Sequence, residues 1–86
     1  MKGLRVEWEF KKQSGTTAYT MLYINGVPVG VEHTTTSSTY VVVSDDIIDI
    51  FVGDLIQIFA KGIPVITQYY VRNMKIKYME FINNDP

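Results

Sequence analysis

The residues able to do chemistry are few and poorly grouped. His33 is the only histidine, and there is no cysteine. Thiolate zinc sites, disulfides and cysteine–histidine nucleophile pairs are therefore excluded. The nearest acid to His33 is Glu32, which a strand would send to the opposite face. His33 thus reads as a surface histidine. Ser14, Ser37, Ser38 and Ser44 fall in turns or polar loops, and none lies in a Gly-x-Ser-x-Gly elbow. Asp45, Asp46, Asp49 and Asp54 form the densest acidic group. Oxygen ligands of this kind suit Ca²⁺, and Asp45, Asp46 and Asp49 are the candidates for such a site. The spacing of a calcium loop is missing, however. Asp45 and Asp54 also stand where turn residues belong, accepting backbone hydrogen bonds. Glu7 and Glu9 share a strand face but lack an acid–base partner, so they read as a solvated face rather than a glycosidase pair. Gly26, Gly30, Gly53 and Gly62 match no phosphate-binding order. The chain is expected not to be an enzyme, and no cofactor is implied beyond the calcium alternative.

Tyrosine is the remaining chemical resource: Tyr19, Tyr23, Tyr40, Tyr69, Tyr70 and Tyr78. Its ring gives flat apolar area with a polar tip, suited to subunit packing or to a glycan or peptide surface. Such rings must be positioned by strands, because β-branched and aromatic residues are abundant and alanine is scarce. Residues 4–11 alternate without a fault: Leu4, Val6, Trp8 and Phe10 against Arg5, Glu7, Glu9 and Lys11. Residues 17–24 carry Ala18, Leu22 and Ile24 on one face and Tyr19, Met21 and Tyr23 on the other. Both faces are partly apolar, as in a strand covered on both sides or facing a partner. Asn25-Gly26 is the strongest short hairpin signal in the chain. The returning strand, 27–34, contains Pro28, which marks an edge or lies on the strand's unpaired side, and Gly30, which marks a bulge or a close approach. After a polar connection at 34–39, a strand is expected at 40–44. Asp45-Asp46 then opens a crossing segment where one helical turn fits. Gly53-Asp54 turns the chain into a strand at 55–61. Gly62 and Pro64 bound a reversal, 65–71 is a strand, Arg72-Asn73 bends it, and 74–82 completes the fold. Residues 83–86 read as a frayed tail.

The expectation is one domain over residues 1–86, an all-β antiparallel β-sandwich, jelly-roll-like, of about seven short strands. The apolar fraction of 47% suits a folded core. A net charge of −1 argues against a nucleic-acid footprint. No apolar run reaches the ~20 residues of a spanning helix. The start of the chain is interrupted by charge and does not read as a signal peptide.

Three segments look familiar together: Tyr23-Ile24-Asn25-Gly26-Val27-Pro28-Val29-Gly30, Val52-Gly53-Asp54-Leu55-Ile56-Gln57-Ile58-Phe59-Ala60-Lys61 and Tyr70-Val71-Arg72-Asn73-Met74-Lys75-Ile76. The Asn-Gly-Val hairpin, the Gly-Asp-x-Ile-Gln strand opening and the closing strand resemble small jelly-roll modules of bacteriophage and archaeal-virus appendages and of secreted surface proteins. More distantly, the layout is similar to tumour-necrosis-factor and complement globular-head sandwiches, which are longer and usually trimeric. The resemblance spans about residues 4 to 80 and implies a non-enzymatic module at a virion or extracellular surface.

The expected function is structural or binding: packing against like subunits as a homo-oligomer, with loops free for a cell-surface receptor. Tyr19, Met21, Tyr23, Tyr69 and Val71 are the expected interface. The alternative is a carbohydrate-binding module, with or without calcium. A strand-edge adaptor capturing a peptide along the Pro28 strand is a further option.

Overall fold

The computed structural model describes residues 2–48 and 50–80. They form six strands: β1 (Lys2–Ser14), β2 (Thr17–Ile24), β3 (Val27–Thr35), β4 (Val41–Ile48), β5 (Ile56–Ile63) and β6 (Gln68–Glu80). Two antiparallel three-stranded sheets result, ordered β4-β1-β6 and β3-β2-β5. Among the described residues there is no helix. The all-β sandwich expected from the alternation is present, with six strands rather than seven. The tail at 83–86 lies outside the described residues.

The perfect alternation of β1 makes it the centre of its sheet. Val6, Trp8 and Phe10 are fully buried and meet Ala18 and Leu22 of β2, the centre of the other sheet. Val29, Val41, Val43, Ile47, Ile56 and Ile58 close around them. A fully buried polar contact crosses this core. The Trp8 indole N–H donates to Thr20 Oγ1 at 2.9 Å.

Two expectations about strand limits are corrected. The crossing segment with a helical turn at Asp45-Asp46 does not form; β4 runs straight through to Ile48. Its inward positions are Val41, Val43, Asp45 and Ile47, opposite Phe10, Trp8, Val6 and Leu4. The strands expected at 65–71 and 74–82 are instead one 13-residue strand, β6, interrupted by a bulge. Glu7 pairs with Lys75 and Glu9 with Arg72, so Asn73 and Met74 together answer to Trp8. Asn73 takes the extra residue in a left-handed conformation, φ 56°. The bulge has a purpose in the pattern. Without it, Val71 and Met74, three apart, would point to opposite faces. With it, Tyr69, Val71, Met74, Ile76 and Tyr78 all share the face of Phe10, Val6 and Leu4.

The turns behave as their residues dictate. Asn25 and Gly26 have φ 53° and 80°, the positive pair that a type I′ hairpin demands. Pro28 sits on β3, an edge strand. Gly30, φ 75°, opens the bulge in which residues 30–32 answer to Met21 alone. At the β4–β5 connection Asp54 Oδ2 accepts from the Phe51 N–H at 2.9 Å, and the Asn25 side chain donates to Asp54 Oδ1 at 3.0 Å. Asn25 Oδ1 accepts in turn from the Leu55 N–H at 2.8 Å. The Asn-Gly hairpin and the Gly-Asp turn, 28 residues apart in register of the chain, are therefore bonded to each other at one end of the sandwich.

Candidate functional site

The interface residues expected from the sequence separate into two surfaces. Tyr19, Met21 and Tyr23 point outward from β2, away from the core. Cross-strand pairing sets Lys61 beside Tyr19, Phe59 beside Met21 and Pro28 beside Tyr23. Together with Glu32 they line an open groove of about 400 Å³ on the outer face of β3-β2-β5. The Tyr23 and Phe59 rings meet edge to face, with centroids 4.4 Å apart and planes at 85°. Lys61 Nζ stands 5.1 Å from the Tyr19 ring centroid and 3.6 Å from Glu32 Oε2. The groove thus has an aromatic floor and wall, and a rim holding one cation and one anion.

Tyr69 and Val71 belong to the other surface. They lie on the inward face of β6, with Met74, Ile76 and Tyr78. β6 is at the edge of its sheet, across from β5 at the edge of the other, and β5 leaves this flank partly open. The five side chains are between 36% and 62% exposed, although their β1 partners Val6 and Phe10 are completely buried. A single bond spans the opening: the Tyr69 hydroxyl donates to the Ala60 carbonyl at 3.1 Å.

His33 is placed differently from the surface histidine expected. It faces inward from β3, edge-on to Trp8 with centroids 5.4 Å apart. Its Nε2 lies 3.1 Å from Asp45 Oδ2, and the two side chains are 17% and 9% exposed. A carboxylate therefore does stand beside His33, but it comes from the opposite sheet. The pair is packed between the layers and does not line the groove. The acidic candidates also diverge. Asp45 points inward, whereas Asp46 points outward to Arg5, whose Nε donates to Asp46 Oδ1 at 2.8 Å. Asp49 lies outside the described residues. Among the described residues no three His, Asp or Glu side chains converge as metal ligands. Asp54 does serve its turn, as its position implied.

The outer face of β4-β1-β6 is a ladder of charge. Arg5–Asp46, Arg72–Glu9 and Lys77–Glu7 lie at 2.8, 2.8 and 3.8 Å. The Arg72 guanidinium lies 3.6 Å from the Tyr40 ring centroid, with Lys11 Nζ at 5.0 Å. The Arg72 hydrogen bond holds the Glu9 carboxyl below its ordinary range, and Arg5 does the same for Asp46. Asp54 is held low chiefly by the Phe51 N–H and then by Asn25. These bonds organise an exposed surface and leave the groove as the concave feature with mixed aromatic and polar lining.

Sequence reasoning missed Glu32, Phe59 and Lys61 in the groove, and Met74, Ile76 and Tyr78 on the flank. The alternation of β5 already put Phe59 and Lys61 on one face. What it lacked was the register that lays that face beside Met21 and Tyr19. No helix among the described residues is long and apolar enough to cross a membrane. No family model matches the chain, and no curated protein or solved structure matches it either.

Proposed function

We propose that this chain is a non-enzymatic, jelly-roll-like module that works by packing against like subunits in a virion or cell-surface assembly, with its end loops available for receptor contact. The observation that carries this reading is the open flank of β6. Tyr69, Val71, Met74, Ile76 and Tyr78 continue the core face of β4-β1-β6 and stay well exposed, because β5 of the facing sheet covers them only in part. From their exposures these five residues leave roughly 450 Å² open to solvent, most of it apolar, comparable to the largest patch (~300–600 Å²) of a typical monomer. That is about half of the ~800 Å² each partner contributes to a standard interface. A small domain with such a patch gains stability by covering it. Outward on the same strand, Arg72 and Lys77 are engaged by Glu9 and Glu7, so a like subunit approaches a partly neutralised edge.

Light scattering over a concentration series tests this. The expected mass is a multiple of the 9.8 kDa chain. Ile76→Lys with Tyr78→Ser, both at exposed positions, is expected to return a folded monomer. A wild-type chain that stays monomeric throughout the series would overturn the reading.

A further inference from the structure

We infer that the groove on the outer face of β3-β2-β5 is a binding site for a neutral oligosaccharide, a second surface independent of the β6 flank. The shape comes first. Tyr19, Met21 and Tyr23 occupy alternate positions of β2, so the aromatic floor extends ~14 Å at the rise of an extended strand. That length suits a short run of sugar rings rather than one small metabolite. The wall is built, since Phe59 braces Tyr23 edge to face at 4.4 Å. Lys61 stands at the rim, above the Tyr19 ring and beside Glu32. Groups already held in place lose little freedom when a ligand arrives.

The chemistry then selects the ligand. A pyranose ring has an apolar C–H face and a rim of hydroxyls. The C–H face suits a flat tyrosine or phenylalanine surface, and tyrosine adds a polar tip. Ionised Glu32 only accepts hydrogen bonds and Lys61 only donates them. A ligand that satisfies both must donate and accept at closely spaced points, as neighbouring hydroxyls do. Charge narrows it further. Glu32 and Lys61 lie 3.6 Å apart and cancel, so the rim selects neither an anion nor a cation. A proline-rich peptide also fits aromatic grooves. Its carbonyls would serve Lys61, but proline has no N–H for Glu32.

Methionine methyl labelling reads the groove directly, because Met21 lies in its floor and Met74 lies on the flank. The probes are cellohexaose, mannohexaose and chitohexaose, with a proline-rich decapeptide as comparison. At least one sugar is expected to move the Met21 methyl signal to saturation by about 10 mM, leaving Met74 in place. Phe59→Ala is expected to weaken that sugar by about tenfold or more, since it removes both the wall and the Tyr23 brace. Glu32→Gln, which keeps shape at an exposed position, is expected to weaken it about threefold or more and serves if Phe59→Ala fails to fold. A Met21 signal unmoved by all three sugars overturns the assignment. So does movement with the peptide alone, or sugar binding untouched by either variant. A monomeric chain that binds sugar would remove the assembly reading and leave this one standing.

Discussion

Removing the acceptor of the fully buried hydrogen bond that crosses the core gives the sharpest test of how this sandwich is held together. Trp8 Nε1 donates to Thr20 Oγ1 at 2.9 Å, and the two residues are 0% and 1% exposed. Thr20→Val keeps the shape and deletes the oxygen. The indole N–H then sits where no water reaches it, at a cost of about 1–3 kcal/mol. A chain of this length holds about 4–13 kcal/mol of stability in all, so the loss is a sizeable fraction. Taken as ~2 kcal/mol, it lowers Tm by roughly 8–16 °C in a domain of this size. Trp8→Phe removes the donor and part of the ring, adding a cavity cost of its own. In the double variant neither group is left unpaired. It is expected to lose at least ~1 kcal/mol less than the two single variants together. Urea unfolding followed by far-ultraviolet circular dichroism suits all four proteins, since Trp8 is the sole tryptophan and fluorescence is lost with it. A Thr20→Val protein within about 0.5 kcal/mol of wild type, or an additive cycle, would refute the argument.

Two further outcomes follow from the turns and the charged face. Gly30 and Gly26 have similar left-handed φ, 75° and 80°, but a Cβ on Gly30 would lie 2.7 Å from Asp45 Cγ while one on Gly26 meets nothing within 4 Å. Both alanine variants share a backbone penalty of about 1–2 kcal/mol. Gly30→Ala is expected to lose at least ~1 kcal/mol more, because it pushes the Asp45 carboxylate from His33; equal urea midpoints would refute the contact. The carboxyls of Glu9, Asp46 and Asp54 are all held below their ordinary values in the folded chain. Their stabilisation is present above the unfolded value near ~4 and is lost as pH falls through the lower folded values. Urea midpoints are therefore expected to decline on acidification below about pH 5, and Asp54→Asn to make that decline shallower. An unchanged slope in the variant would show that the turn hydrogen bonds do not act on Asp54.

Much of the local structure was legible in the sequence. The faultless alternation at Leu4–Phe10 marks the central strand β1, and Asn25-Gly26 marks the β2–β3 hairpin, because both signals depend on neighbours only. The misreadings share a different cause. Asp45-Asp46 resembled turn residues, since an inward carboxylate at a strand position is costly alone. Here it is tolerated because His33 reaches it from the other sheet, which no local pattern announces. Arg72-Asn73 resembled a strand break because the alternation slips there, and the bulge that repairs the slip is visible only against β1. Residue type alone groups Tyr69 and Val71 with Tyr19, Met21 and Tyr23. Which strand lies at an edge, and which face stays uncovered, depends on sheet order, and that is a property of distant pairings.

The sheet order β4-β1-β6 also has a bearing on biosynthesis. β1 holds the two largest hydrophobic anchors of the core, Trp8 and Phe10, yet one of its two neighbours is β6, the last of the described strands to be made. Of the five strand-to-strand connections only the β2–β3 hairpin joins neighbours in the same sheet. Nearly every pairing must therefore await a distant segment, the arrangement that makes β-sandwiches slow to form. While the ribosome is still completing β6, Val6, Trp8 and Phe10 have only β4 beside them, and the nascent chain presents an unpaired, strongly apolar edge.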